Sequence, residues 1–363
     1  MKKKRIPNTF LNYMQKQKLK TLVKLFLIYI FLIPLLTELG LRILAKFEII
    51  QSFRGRVNVN FVPNPNLGYK VPPNSLPDID KNGFRNYKNI RLSEIEIFAI
   101  GDSQTYGYNA SIDQSWPSKL SEYINLDIYN YGIGGYGLTQ YKFFLDKTLK
   151  IKNSTSIVGL YPPNDFCGLL KIKEPDVSLR AHILRNSEFF MAIRSLNKIS
   201  NFISANRDII KAKFSNRYAI LKSNKNNQHI VVNTSRSKCL NSANKSVINA
   251  FDYFKKDVLY RKLNNQSVIY LLIPSKGIIY EPSSKVIHNK TGYSYYLRKH
   301  KETFNKIMKF LDKENIRYSY PLTKLQEHAT KESQPLFLRS SDEHPLSEGY
   351  RIYAESLYKH FVD

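Results

Sequence analysis

Hydrophobic and polar positions divide the chain into three regimes. The first is a basic tail, residues 1–20, running into an apolar stretch over 21–47. Leu25–Thr37 (LFLIYIFLIPLLT) is uncharged, and apolar positions continue at Leu39, Leu41, Ile43 and Leu44. The uncharged run of 13 residues falls short of the roughly 20 that cross a bilayer. Thr21–Phe47 as one helix is about 40 Å long and does cross. Eight cations (Lys2, Lys3, Lys4, Arg5, Lys16, Lys18, Lys20, Lys24) and no acid lie within residues 1–24. The positive-inside rule then keeps the tail cytoplasmic and places residues from about 48 outward, in the periplasm. Lys24 can snorkel at one end, Glu38 and Arg42 can pair four residues apart, and Pro34 can kink the helix. A cleaved signal core or a buried soluble helix fits the same pattern. No small-x-small cleavage site follows Thr37, which favours an uncleaved single-pass anchor in the cytoplasmic (inner) membrane.

The second regime, 48–92, has no period and is read as an extended leader. NPNLGYKVPPNS (Asn64–Ser75) is punctuated by Pro and Asn, and DKNGFRN (Asp80–Asn86) contains an Asn-Gly turn. The third, 93–363, alternates. Strand patterns at Glu94–Ile100, Leu126–Asn130, Ser156–Tyr161, Ser267–Ile273 and Ile316–Tyr320 are separated by helical patterns at Ser115–Tyr123, Leu138–Leu149, Val247–Leu263 and Tyr295–Lys313, with a last helix over 347–361. Strand and helix alternating in units of about 30 residues predict an α/β fold with a parallel sheet. Residues 168–247 break the rhythm: they are rich in Lys, Asn and Ser, have helical stretches such as Phe189–Phe202, and are read as an insertion or lid. No internal repeat is found.

Composition narrows the classes. The 363 residues are 42% hydrophobic and 13% aromatic, too apolar for disorder. With 56 Lys and Arg against 29 Asp and Glu, the net charge is +27. Such a surface suits nucleic acid, an anionic membrane or an acidic polymer. No zinc-finger, RNP or basic-zipper pattern is present, so nucleic acid is not an expected partner. Much of the charge lies in the insertion, at Lys211, Lys213, Arg217, Lys222, Lys225, Arg236, Lys238 and Lys245, either as solvated surface or as a basic lid. Two cysteines exclude a disulfide-rich scaffold, and no Cys/His spacing suggests zinc. A single Cys167–Cys239 bridge stays open beside two free thiols.

Candidate chemistry lies at strand ends, where open α/β sheets bind ligands. GDSQTYG (Gly101–Gly107) follows the first strand and presents Ser103 in a glycine-bounded turn. It is not a G-x-S-x-G elbow, because Thr105 occupies the second position after the serine. YNYGIGGYG (Tyr129–Gly137) follows the second strand, and Gly135 lets a backbone N–H approach a ligand. YPPNDF (Tyr161–Phe166) follows the third and offers the Asn164 amide. SDEHPLSEGY (Ser341–Tyr350) sets Asp342 two residues before His344, ahead of a helix, so the carboxylate can orient the imidazole. Each motif alone also reads as an ordinary turn.

Together, in the order Ser, Gly, Asn, Asp-x-His, they resemble the SGNH/GDSL hydrolase family, in a membrane-tethered bacterial branch. The resemblance spans roughly residues 94–361, interrupted by the insertion. DQSWPSKL (Asp113–Leu120) is similar to the family's first helix, and Pro-Pro-Asn-Asp departs from its commoner Gly-x-Asn-Asp. It implies a three-layer α/β/α sandwich with a flavodoxin-like parallel sheet over 93–363. It implies Ser103 as nucleophile, His344 as base and Asp342 as its orienting acid. The Ser103 N–H, the Gly135 N–H and the Asn164 side chain would form the oxyanion hole, with Asp102 and Asp165 bracing the loops. No metal or organic cofactor is expected. The implied reaction is esterase chemistry through an acyl-serine, on O-acyl, foremost O-acetyl, esters of cell-envelope or exported polysaccharide. A polysaccharide O-acetyltransferase, a lipase or lysophospholipase, and an envelope scaffold with a silent site remain open. LLIPSKGIIYEP (Leu271–Pro282) is loosely similar to segments of polysaccharide O-acetylation proteins.

Overall fold

The computed structural model describes residues 8–46, 61–87, 90–167, 209–241, 244–331 and 334–362. Contacts divide the chain into two compact units, Met1–Asn60 with Asp176–Asn197 and Phe61–Pro175 with Lys198–Asp363.

In the first unit, α1 runs Asn8–Lys46, with Pro34 inside it. Its 39 residues extend about 58 Å at 1.5 Å per residue. Leu19–Ile43 has a mean hydropathy of 2.2 and none of it is buried, so this helix is long and apolar enough to cross a membrane. Glu38 and Arg42 pair at 2.6 Å, as their spacing predicts.

The second unit is built on a parallel sheet. Its strands are β3 (Ile97–Gly101), β4 (Ile128–Asn130), β5 (Thr155–Leu160), β8 (Ser267–Leu272) and β10 (Tyr318–Ser319), in the spatial order β10-β8-β5-β3-β4. Every pairing is parallel. This is the flavodoxin-like order expected above, and its direction reverses at β3, beside β5. Right-handed crossovers then put helices on both faces. On one face α3 (Trp116–Ile124) packs against the last helix, α10 (Ser347–Val362). On the other, α4 (Leu138–Thr148) packs beside α6 (Lys245–Leu263), whose Phe254 meets Phe310 of α8 (Lys290–Lys313). The strands are buried on both sides and therefore read as apolar runs rather than alternations. Ile97, Ala99 and Ile157 join Trp116, Leu120, Tyr350 and Tyr353 in one core. Phe98 instead stacks on Tyr131, which stacks on Phe144 of α4.

The expected extended leader is in part built into this unit. Residues 62–64 and 68–70 form a hairpin, β1–β2. Asn86 accepts from the Asn130 N–H at 2.8 Å, and its amide donates to the Asn130 carbonyl at 3.2 Å. Arg85, buried, donates to the carbonyls of Tyr106 (3.1 Å), Gly107 (2.8 Å) and Ala110 (2.9 Å) and pairs with Asp78 at 2.7 Å. The NGFRN turn is thus a plug that ties the first and second strand-end loops together.

The insertion is also partly integral. Strands β6 (Tyr218–Ser223) and β7 (His229–Asn233) pair with β9 (Ser284–His288) in an antiparallel sheet of order β7-β6-β9. Ala219, Leu221, Ile230 and Val232 belong to the main core. Phe189–Phe202 lies outside the described residues. Cys167 and Cys239 are joined in a disulfide, Cα atoms 5.3 Å apart, which resolves the open alternative in favour of pairing.

Candidate active site

The first motif follows β3 directly. Asp102 caps α2 (Ser103–Tyr106), its carboxylate accepting the Gln104 N–H at 2.8 Å, as short polar side chains do at helix starts. Gly107 closes the turn in the left-handed conformation, φ 83°, where a Cβ would be strained. Ser103 is thereby fixed at the carboxyl end of the sheet.

The fourth motif meets it there. His344 Nε2 lies 2.8 Å from Ser103 Oγ, and His344 Nδ1 lies 2.7 Å from Asp342 Oδ1. The same Oδ1 accepts the His344 backbone N–H at 2.7 Å. Burial works to raise the Asp342 carboxyl, but His344 and the Asn109 side chain outweigh it and hold it down at about 2. A fixed carboxylate on Nδ1 leaves Nε2 facing the serine, the arrangement that lets an imidazole take a hydroxyl proton. The Tyr108 ring lies against the imidazole, centroids 4.7 Å apart.

The third motif closes the site from β5. Asn164 donates its side-chain amide to Asp102 at 2.7 Å. Asp165 behind it accepts the Tyr141 hydroxyl at 2.8 Å and the Tyr161 N–H at 2.6 Å. Burial first, then the nearby Asp102 charge, push the Asp165 carboxyl well above the usual range. Both aspartates brace loops.

The second motif supplies a glycine corner. Gly135 is left-handed, φ 85°, and a Cβ there would sit 2.6 Å from the Tyr69 hydroxyl. A Cβ on Gly134 would lie 3.7 Å from the Ser103 Cβ, so this corner faces the serine. Among the described residues neither the Gly135 N–H nor the Ser103 N–H has an acceptor within the chain.

The structure thus brings Ser103, His344 and Asp342 into one contact chain, with Gly134, next to Gly135, against Ser103 and Asn164 bonded to the neighbouring Asp102. The chain has a flavodoxin-like α/β fold, as its resemblance to SGNH/GDSL hydrolases implies. No protein-family model and no curated protein matches it. Among solved structures it is similar to a member of the lipolytic protein G-D-S-L family from Veillonella parvula DSM 2008, at 15% identity and TM-score 0.35, covering 73% of this chain and 96% of that one. It is similar to phospholipase A1 from Streptomyces albidoflavus NA297, at 11% identity and TM-score 0.41, covering 72% and 98%. It is similar to the acetyl xylan esterase AlAXEase, at 11% identity and TM-score 0.37, covering 73% and 99%.

Three contributors escaped the sequence. Lys276, 1% exposed, donates to the carbonyls of Leu338 (2.5 Å), Ser340 (2.7 Å) and Asp342 (3.3 Å) and so holds the His344 loop. Asn109 donates to the His344 carbonyl at 3.4 Å. Tyr69 donates its hydroxyl to the Gly134 carbonyl at 2.8 Å. The only sequence signal for Lys276 was a lone charge inside an apolar run, LLIPSKGII. Among the described residues no group of three or more His, Cys, Asp or Glu is placed to hold a metal.

Proposed function

We propose that the protein is a serine esterase acting on O-acyl, foremost O-acetyl, esters of cell-envelope or exported polysaccharide. The observation that carries the chemistry is the contact chain Ser103 Oγ, His344 Nε2, His344 Nδ1, Asp342 Oδ1, with both links under 3 Å. Ser103 Oγ attacks the ester carbonyl carbon while His344 Nε2 takes its proton. The carbonyl oxygen becomes an oxyanion held by the Ser103 and Gly135 N–H groups and the Asn164 amide, each donor contributing about 3 kcal/mol to lowering the barrier. The carbon–oxygen bond to the alcohol breaks, and His344 returns the proton to the departing oxygen. Water then attacks the acyl-serine, His344 takes its proton, and the carboxylic acid leaves as Ser103 regains a hydrogen. Asp342 stabilises the imidazolium in both halves.

An exported polysaccharide is the substrate class favoured by three features: α1 as a membrane anchor, the basic tail before it, and a net charge of +27 that attracts acidic polymers. The Cys167–Cys239 disulfide supports this reading, because such bonds persist in oxidising compartments. Turnover of p-nitrophenyl acetate by the full chain is expected, with loss of at least 1,000-fold (~) in Ser103→Ala. Retained activity in that variant removes Ser103 as nucleophile. Acetyl esters are expected to outpace long acyl chains, and preference for long chains selects a lipase instead. A reporter active only after export, fused beyond Asp363, is expected to be active; silence overturns the orientation.

A further inference from the structure

The peptide between Gly134 and Gly135 is the least constrained link in the site. A peptide unit is planar, so the Gly134 carbonyl and the Gly135 N–H point in opposite directions along one plane. Rotating that plane turns only two soft dihedrals, and with glycine on both sides no Cβ resists the rotation. A donor built on such a peptide needs an external hold.

The leader supplies one. Tyr69 of β2 donates its hydroxyl to the Gly134 carbonyl at 2.8 Å from 65 residues away in sequence. The Tyr69 carbonyl in turn accepts the Tyr136 hydroxyl at 2.8 Å, so hairpin and glycine corner clamp each other. The Tyr69 ring is fixed between Phe61 (4.6 Å) and Tyr136 (5.4 Å). Burial, then the Asp102 charge, push the Tyr69 hydroxyl up to about 12, so it remains a donor across the working range of pH.

We propose that Tyr69 is a positioning residue for the oxyanion hole: by pinning the Gly134 carbonyl it aims the Gly135 N–H at the oxyanion. Tyr69 touches neither substrate nor Ser103 in this role; it acts through the glycine peptide. The inference rests on Ser103 as nucleophile and Gly135 as oxyanion donor. It makes the segment between the apolar helix and the sheet a working part of the catalytic machinery.

The test uses the full chain and a fluorophosphonate, whose tetrahedral adduct on serine places an oxygen in the oxyanion hole and needs no native substrate. Tyr69→Phe removes only the hydroxyl. The labelling endpoint is expected to stay at wild-type level while the rate constant falls about 10- to 100-fold, the scale of a misaligned donor. With p-nitrophenyl acetate, kcat is expected to fall by the same factor and KM to change less than about twofold. Combining Tyr69→Phe with Gly135→Ala is expected to cost no more than Gly135→Ala alone, because both act on one donor. A wild-type labelling rate in Tyr69→Phe overturns the proposal and leaves the esterase assignment standing. A reduced endpoint with an unchanged rate makes Tyr69 a folding residue and also overturns it. Absence of labelling at Ser103 in the wild-type chain overturns the esterase assignment, and the proposal with it.

Discussion

Asn164 is latched to Asp102: its side-chain amide donates to the carboxylate at 2.7 Å, joining the loop after β5 to the loop after β3. The same carboxylate caps the helix that presents Ser103. One buried aspartate therefore sets both the proposed nucleophile and a proposed oxyanion donor. Asp102→Asn has a single carbonyl oxygen and can serve either the Gln104 N–H or the Asn164 amide, not both. Its kcat is expected to fall about 100-fold with KM within about twofold, on the scale of losing one preorganised donor. Steady-state kinetics on p-nitrophenyl acetate check this, and an unchanged kcat would detach Asp102 from the site.

Asp342 ties acid stability to the catalytic pair. Its carboxyl sits at about 2 in the folded chain, against about 3.9 in an unfolded one. A depressed carboxyl stabilises the fold above its unfolded value, and the contribution disappears as pH falls through the folded value. Roughly 2 kcal/mol is expected to be lost between pH 5 and pH 2. Urea unfolding across that window should be less steep in pH for Asp342→Asn than for wild type. The same variant is expected to lose activity by about 10⁴-fold, because His344 loses the group that fixes its orientation. Parallel pH slopes in the two proteins would refute the linkage.

The disulfide closes a loop with a sequence separation of 72 residues. Chain-entropy arguments assign such a closure about 4 kcal/mol. Denatured, unreduced protein is expected to show no reactive thiol, and two after reduction. Reduction is expected to lower the unfolding midpoint. Two thiols before reduction would exclude the bridge.

Arg85 is a buried cation whose three carbonyl partners and Asp78 share its charge. Arg85→Met keeps volume but orphans those acceptors, so a loss of about 3 kcal/mol is expected in urea titration. The fraction of chains labelled at Ser103 should drop with it. Wild-type stability would show that the plug contributes packing alone.

The elements that could be located from sequence were those with local causes. β3 and β5 announce themselves as IFAIG and TSIVGL, buried on both faces, and Pro117 marks the first turn of α3. The four site motifs were legible because each follows such a strand or precedes a helix. The antiparallel sheet of β6, β7 and β9 was not, since YAILKS and HIVVN sit in a Lys- and Asn-rich region and YAILKS takes its second partner, SKVIH, from far along the chain. The helix Leu322–Lys331 was missed as well. Lys276 carried no sign of burial because its carbonyl partners arrive from Leu338, Ser340 and Asp342. Tyr69 looked like one aromatic among 25 tyrosines until the hairpin placed it on Gly134.

The docking of the leader bears on where the chain can be cut without loss of the candidate site. Tyr69, Arg85 and Asn86 all hold catalytic loops, and all lie between the apolar helix and the first strand of the sheet. A cut between Tyr69 and Arg85 would take Tyr69 from the body, and a cut beyond Asn86 would take all three supports. A cut upstream of Phe61 keeps the second compact unit whole. Fragments that begin upstream of Tyr69 are therefore expected to keep all three supports, and fragments trimmed to the first strand of the sheet are expected to lose them.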